Sequence, residues 1–266
     1  MPAGSSANRN PRVAALVAAA LLAVGCDGAP SGSKNDGSEV ASGKAGDIPG
    51  PSQASVVDWT ARISTTPEGG YLIGNPHAAT KLVEYGSLAC TRCRDFHLQA
   101  MAALKRDYIA TGAVAYEFRN YILGGADLAA SMLARCDGPE KFFPRIHIFF
   151  QRQDEWTKGF STIGLIDQRR MSAQPERRQL ATYARIGGLE DFAGAVGIPV
   201  GRFSQCLTDE EQLIRLDSLR DEAKTYGLSD TPSFLLNDRL LNDADSWTEV
   251  RLKLDEFLGR TRNGSR

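Results

Sequence analysis

Two cysteines that stand three positions apart, Cys90 and Cys93, offer the clearest chemistry in this 266-residue chain. Residues 81–86 have the pattern of a short strand, and an apolar repeat every four residues after Cys93 indicates a helix. The pair therefore lies where a strand passes into a helix. The positive end of the helix dipole and the free N–H groups stabilise a thiolate there, and Arg92 adds a cation. This arrangement predicts dithiol–disulfide exchange.

A C-x-x-C pattern is also half of a zinc site, or part of a plain structural bridge. A zinc site needs two further ligands, and the chain holds three histidines and no second C-x-x-C. We therefore expect no metal and no cofactor other than a redox-active Cys90–Cys93 disulfide. Of the histidines, His97 either tunes Cys90 or is simply a solvated helix residue, and the second interpretation is favoured. His147 is expected in packing or a cap, and His77 in a turn.

A second strand is predicted at residues 113–123, after the helix that follows the cysteine pair. A strand–helix–strand order implies a parallel pair with a crossover helix. Residues 127–207 are predicted to be mostly helical, and one helix there is predicted to start at Pro144. The predicted organisation is a first half at residues 56–126, a helical block at 127–207 and a second half at 208–266.

Local signals organise the second half more sharply. Residues 208–211 have the pattern of a capping box that opens a long helix, with Thr208 as the cap. Two short strands follow, joined by a tight turn at Asn237 and Asp238. A second capping box, from Ser246 to Glu249, opens the last helix.

Residues 1–26 carry the pattern of an export signal. Two arginines precede a twelve-residue apolar run that is too short to span a bilayer but fits a signal peptide. The run ends beside Cys26 in a sequence similar to the lipobox, where a bacterial lipoprotein is cut and lipidated. An ordinary signal peptide cut elsewhere is the alternative. Residues 27–55 are rich in Gly, Ser, Pro and charged residues, which predicts a flexible linker.

Composition limits the partners and the compartment. The formal net charge is −1, so no basic excess indicates a nucleic-acid partner. The chain has five cysteines, and lipidation of Cys26 would leave four for pairing. We expect a periplasmic or other extracytoplasmic location, where disulfides persist, with lipid anchoring as the only contact with a membrane.

Taken together, these features resemble the thioredoxin superfamily and its DsbA-like branch. Glu84 lies six positions before Cys90, where this family keeps a buried carboxylate. Phe96 matches the aromatic residue that follows the motif. Thr231 and Pro232, followed by a strand, match the cis-proline loop, and the helical block matches the DsbA-like insertion. The resemblance covers nearly all of the region expected to fold.

The resemblance implies an α/β fold, with a thioredoxin-like domain that carries an inserted helical domain. It also implies that Cys90 exchanges with a client thiol and that Cys93 resolves the mixed disulfide. Glu84 would relay a proton to or from Cys93 through water; a solvent-facing strand carboxylate is the alternative. Thr231 and Pro232 would leave a backbone N–H and C=O free for an extended client peptide.

The dipeptide between the two cysteines bears on whether the pair oxidises or reduces its clients. The intervening residues are Thr91 and Arg92, not the Pro-His of the best-known DsbA proteins or the Gly-Pro of thioredoxin, and this dipeptide tunes the redox potential. Oxidation of exported, cysteine-containing clients is favoured, with a membrane redox partner that recycles the pair. The alternatives are a reductase, an isomerase, or a non-enzymatic module that binds peptides on the same fold.

The remaining cysteines, Cys136 and Cys206, lie on predicted helices with apolar neighbours. Some DsbA-like relatives carry a cysteine pair in matching helices, which implies a structural disulfide here. Two separate buried thiols are the alternative.

Overall fold

A six-stranded mixed sheet runs through the part of the chain that the structure describes, residues 57–260 of a computed structural model. In chain order the strands are β1 (Ile63–Thr65), β2 (Tyr71–Gly74), β3 (Thr80–Gly86), β4 (Val114–Asn120), β5 (Ser233–Leu236) and β6 (Arg239–Leu240). Across the sheet the order is β1-β2-β4-β3-β5-β6. β3 and β4 are parallel, which requires a crossover, and the other pairings are antiparallel. The predicted strand–helix–strand unit is confirmed.

Ten α-helices accompany the sheet within residues 57–260. They are α1 (Thr91–Leu104), α2 (Gly125–Arg135), α3 (Pro139–Gln151), α4 (Gln153–Lys158), α5 (Leu165–Ser172), α6 (Glu176–Ile186), α7 (Leu189–Ala193), α8 (Val200–Leu207), α9 (Glu210–Thr225) and α10 (Trp247–Phe257). None of these helices has the length and hydropathy that a membrane crossing requires. The predicted signal segment, Cys26 and the predicted linker lie outside the described residues.

The sheet separates two apolar clusters. Alternate residues of a strand point to opposite faces, so Leu82 joins the larger cluster with α1 and α3, whereas Val83 and Tyr85 join a smaller cluster with α9. Because both faces are covered, every residue of β4 is buried, as is typical of a central parallel strand. Each buried Leu or Phe side chain contributes about 1.5–3 kcal/mol to this packing.

Two helix starts differ from the sequence prediction. α3 begins at Pro139 because Gly138, at φ +95°, turns the chain, and a proline in the first turn needs no N–H partner. Pro144 therefore lies inside the helix, on its exposed side. α9 is capped by Asp209, whose carboxylate accepts a first-turn N–H, and not by Thr208.

The other local turn signals are confirmed. Asn237 and Asp238 both have positive φ and join β5 to β6 in a hairpin. Ser246 and Glu249 form the reciprocal capping box that opens α10. The strands β1 and β2, at one side of the sheet, were not predicted, because strands of three and four residues are too short to show a clear alternation.

Helices α2 to α8 lie between β4 and α9, in the same compact unit as the sheet. Cys136, directly after α2, is joined by a disulfide to Cys206 in α8, with 5.4 Å between their Cα atoms. Both side chains are buried. The bridge links two positions that are 70 residues apart and fixes the end of α2 to α8.

Candidate active site

Cys90 is the N-cap of α1, and its sulfur accepts a hydrogen bond from the Cys93 backbone N–H at 3.3 Å. Cys90 is partly exposed, whereas the Cys93 side chain, one turn further along, is fully buried. The Ser87 N–H lies 3.5 Å from the Cys93 sulfur. Both cysteines are free thiols in this structure. The strand-to-helix junction thus presents one sulfur to solvent and keeps its partner beneath the surface.

The environment pushes the two thiol pKa values in opposite directions. A hydrogen bond with the Cys93 thiol is the main reason that the pKa of Cys90 falls to about 5, and the Thr231 side chain and helix N–H groups add to it against partial burial. Burial raises the pKa of Cys93 well above its ordinary value, and Cys90 and Glu84 raise it further. At neutral pH the exposed sulfur is therefore a thiolate and the buried one a thiol.

The Arg92 guanidinium forms ion pairs with two carboxylates at the rim of the site. Its guanidinium lies 2.5 Å from Asp230 Oδ2 and 2.9 Å from Asp245 Oδ2. The contribution of Arg92 to the low pKa of Cys90 is a hydrogen bond from its backbone N–H. Arg92 was expected to act on the thiol as a nearby cation. Its guanidinium instead pairs with two carboxylates from distant loops, and only its backbone N–H contributes to the low pKa of Cys90.

The cis-proline loop lies directly beside the exposed sulfur. The Thr231–Pro232 peptide bond is cis, and the Cys90 thiol lies 3.3 Å from the Thr231 carbonyl oxygen, to which it donates. The Thr231 N–H donates to Asp230 Oδ1 at 2.8 Å. The structure therefore brings the loop and the cysteine pair together. It contradicts the expectation of a free backbone group for the Thr231 N–H, whereas the carbonyl has a donor only while Cys90 is protonated.

Glu84 lies on β3, fully buried on the same sheet face as Leu82. Its Oε2 accepts from the Tyr116 hydroxyl at 2.5 Å, and its Oε1 has no partner among the described residues. Burial raises the pKa of Glu84 to about 8, so this carboxyl is protonated at neutral pH. Gly86 is required beside it, because an added Cβ would lie 2.7 Å from Glu84 Oε1.

Asp127, a buried carboxylate that fixes the loop before Cys90, was not among the predicted site residues. It accepts from the Ser87 hydroxyl at 2.6 Å, from the Leu88 N–H at 2.9 Å and from the Leu123 N–H at 3.0 Å. Burial raises the pKa of Asp127 to about 6 despite these donors. No local signal marks this role, because the loop and Asp127 are about 40 residues apart in the chain.

Gln153, the first residue of α4, was not predicted as a site residue either. Its buried side-chain amide donates to the carbonyl oxygens of Leu88 at 2.7 Å and of Cys90 at 2.9 Å. These carbonyls belong to the turn that leads into α1, and that of Cys90 also accepts the Arg94 N–H of the helix at 3.1 Å. Gln153 and Asp127 thus hold the reactive turn from two sides.

The interpretation of His97 as a solvated residue is wrong. His97 lies on the buried face of α1, and its Nε2 is 3.2 Å from Nδ1 of the exposed His147 on α3. Burial lowers the pKa of His97 to about 3, so the ring is neutral at neutral pH. Phe96, the predicted aromatic neighbour of the motif, packs against Phe234 with 4.5 Å between ring centroids.

A cleft of about 470 Å³ opens beside the cis-proline loop. Its lining includes Arg92, Asp230, Pro232, Leu241, Asp243 and Asp245. The site therefore consists of a thiolate at a helix start, a buried partner thiol, a buried acid and an open cleft next to the reactive sulfur. This arrangement suits exchange with a sulfur that arrives on an extended chain.

Comparison with known proteins agrees with this geometry. A family model described as Thioredoxin matches residues 66–256, and the chain belongs to this family. The crystal structure of a protein-disulfide isomerase from Novosphingobium aromaticivorans is similar, with a TM-score of 0.65 and 27% identity, over 72% of this chain and 97% of that one. The structure of Wolbachia pipientis alpha-DsbA1 has a TM-score of 0.57 and 21% identity, over 74% of this chain and 94% of that one. The predicted DsbA-like thioredoxin fold is confirmed.

A curated relative in Rickettsia prowazekii (strain Madrid E) is named "Putative protein-disulfide oxidoreductase". It is 30% identical over 168 residues, which are 62% of this chain and 53% of the relative. The chain thus spans about half the length of the curated relatives it matches. Their name agrees with the oxidoreductase class that the sequence predicts.

Proposed function

We propose that this protein is a thiol:disulfide oxidoreductase that acts through Cys90 and Cys93, with the oxidation of client dithiols as the favoured direction. The observation that carries the proposal is the contrast between the two thiols. Cys90 is partly exposed with a pKa of about 5, whereas Cys93 is buried with a raised pKa. A stabilised thiolate favours the reduced form of the pair, which makes its disulfide a stronger oxidant.

In the proposed reaction a client thiolate attacks the Cys90 sulfur of the Cys90–Cys93 disulfide. That bond breaks, the electron pair leaves on Cys93, and Cys93 takes up a proton. A second client thiolate then attacks the client sulfur of the mixed disulfide, and Cys90 leaves as a thiolate. The client is oxidised by two electrons and the cysteine pair is reduced by two. The low pKa of Cys90 favours the second step, because acidic thiols are better leaving groups.

Glu84 is the proposed proton donor to Cys93. It is protonated at neutral pH because burial raises its pKa to about 8, and once it is ionised its charge raises the pKa of the Cys93 thiol. The Tyr116 hydroxyl fixes one oxygen of the carboxyl and leaves the other without a partner among the described residues. That second oxygen is the one from which a proton would pass to Cys93 through water.

The proposed setting is extracytoplasmic. The export pattern of residues 1–26 supports it, and lipid on Cys26 with the linker at 27–55 would tether the domain to a membrane. The clients would be exported proteins with cysteines. A membrane redox partner would return the Cys90–Cys93 pair to the disulfide after each turnover.

Two assays test the reaction and its direction. The oxidised protein should reactivate reduced, unfolded ribonuclease, and its reduction potential should lie nearer about −120 mV than about −270 mV. Insulin reduction in the presence of a thiol should be the weaker activity. The Cys90→Ser/Cys93→Ser double variant is the control. If the wild-type chain were inactive in both assays yet bound peptides, a non-enzymatic binding module would replace this proposal.

The similarity to the Novosphingobium protein-disulfide isomerase supports isomerisation as a second candidate. An isomerase works from the reduced pair, with Cys90 as the attacking thiolate. Reactivation of scrambled ribonuclease by the reduced protein, at a rate above that of ribonuclease oxidation, would favour this candidate.

A further inference from the structure

The two backbone groups of Thr231 beside the reactive sulfur both have a partner within the chain while Cys90 is protonated. Its N–H donates to Asp230 Oδ1 at 2.8 Å, and its carbonyl oxygen lies 3.3 Å from the Cys90 sulfur. Thr231 is 1% exposed, so solvent hardly reaches these groups. An extended client that adds to a strand edge needs one backbone donor and one acceptor of this kind. In every state of Cys90, client binding to the Thr231 N–H must therefore displace Asp230.

The reaction itself releases the carbonyl oxygen. Cys90 donates to it only while the sulfur carries a proton, and neither a thiolate nor a mixed disulfide has that proton. The Thr231 N–H is different, because no step of the exchange removes Asp230. The Asp230 carboxylate is moreover held in place, since its other oxygen lies 2.5 Å from the Arg92 guanidinium. Arg92 is itself anchored by Asp245 at 2.9 Å.

We propose that Asp230 is an internal competitor for the client backbone, held over the Thr231 N–H by Arg92, and that its displacement admits an extended client segment. The inference rests on the proposed function and deepens it. Asp230 is then a specificity-determining residue that acts on client affinity and does not take part in the exchange. Its side chain is 70% exposed, so it can swing into solvent without disturbing the fold.

The direct test uses the full chain with Asp230→Ala and a cysteine-containing peptide substrate. Removing the competitor should lower KM by about fivefold, the scale of one competing hydrogen bond, while kcat changes by less than about twofold. The pH midpoint of Cys90 alkylation is measured in parallel. A lower midpoint with a higher kcat and an unchanged KM would mean that the lost charge acts on the thiol, and this would overturn the inference.

Two further variants separate the hydrogen bond from the charge. Asp230→Asn keeps an acceptor for the Thr231 N–H but loses the ion pair with Arg92, so its KM should lie between those of the wild type and Asp230→Ala. Asp245→Ala removes a carboxylate from the same guanidinium without touching Thr231. Its KM should stay closer to that of the wild type than to that of Asp230→Ala. Equal effects of Asp245→Ala and Asp230→Ala would contradict the inference.

A binding measurement distinguishes failure of this inference from failure of the proposed function. The same peptide with serine in place of cysteine is titrated against the wild type and Asp230→Ala by fluorescence polarisation. Tighter binding to Asp230→Ala supports the inference even if the wild type shows no thiol exchange. Unchanged or weaker binding by Asp230→Ala overturns it and leaves the exchange activity of the wild type unaffected.

Discussion

Cys90 and Cys93 stand three positions apart at the start of α1, whereas Cys136 and Cys206 stand 70 positions apart and join α2 to α8. Cys90 is partly exposed, and hydrogen bonds lower its pKa to about 5. Cys136 and Cys206 are both buried and form a disulfide. The same kind of bond can therefore form in two environments that treat a reduced sulfur very differently.

Reduction has a different cost at each place. At Cys90 the folded protein supplies donors to the thiolate, and these offset the loss of the bond. Reduction of Cys136–Cys206 would leave two buried thiols and release a long loop in the unfolded chain. Closing a loop of that length contributes about 4 kcal/mol to stability. A disulfide is thus reactive when the folded protein stabilises its reduced thiolate. It is structural when its main effect is the stability that comes from closing the loop.

The largest expected effect comes from removing one sulfur of the reactive pair. Cys93→Ala should accumulate mixed disulfides through Cys90, because the resolving sulfur is gone. Cys90→Ala should trap almost none and should lose exchange activity by at least about a thousandfold. Non-reducing gels and the ribonuclease assay measure both effects. Retained activity in Cys90→Ala, or trapping by Cys90→Ala alone, would reverse the roles assigned to the two sulfurs.

The next largest expected effect concerns the pKa of the Cys90 thiol. In the reduced protein, the alkylation rate of Cys90 should rise with pH through a midpoint near 5 and then level off, far below the midpoint of about 9 for an ordinary thiol. Because the folded-state pKa is depressed, the thiolate also adds stability that is complete above the unfolded-state pKa and is lost as pH falls through about 5. Cys93 in the Cys90→Ala variant is the control and should stay slow. A Cys90 midpoint near 9 would remove the main difference between the two pairs.

The structural pair should affect stability and leave the exchange chemistry intact. The Cys136→Ala/Cys206→Ala double variant should lose about 4 kcal/mol of unfolding free energy, as measured by urea denaturation, because the unfolded chain regains the entropy of the 70-residue loop. Its Cys90 alkylation profile should match that of the wild type. In the wild type, mild reductant should expose Cys90 and Cys93 to labelling before Cys136 and Cys206. Labelling of Cys136 and Cys206 without any reductant would contradict their assignment as a structural disulfide.

The smallest effect concerns the buried acid under the reactive pair. Unfolded Glu84 ionises near pH 4.5, whereas the folded residue keeps its proton until about pH 8. The unfolded state therefore binds fewer protons, and the wild type should lose about 2 kcal/mol of stability between pH 5 and 7 through this residue. Glu84→Gln should remove that loss.

The measurement uses the oxidised protein, in which Cys90 does not titrate. Glu84→Gln should also slow exchange and flatten its pH profile if Glu84 supplies a proton to Cys93. The same pH slope of stability in the wild type and in Glu84→Gln would show that Glu84 does not keep its proton in the fold.

Much of the fold was predictable because its signals are local. The C-x-x-C at a strand-to-helix boundary, the Asn237-Asp238 turn and the Ser246 capping box each depend on backbone geometry within a few residues. The parallel pair of β3 and β4 followed from the order of elements. The short strands β1 and β2 were missed because their patterns are brief, and the start of α3 was missed because a second proline, Pro144, competes with Pro139.

The residues that could react, and the elements that carry them, were evident from residue types and spacing. What each reactive group contacts became evident only in the folded chain. Asp127 and Gln153 reach the reactive turn from about 40 and 65 positions away, and Arg92 finds Asp230 and Asp245 on distant loops. The physical reason is that acidity and access depend on burial and on hydrogen bonds at about 3 Å, which distant parts of the chain supply only after they pack together.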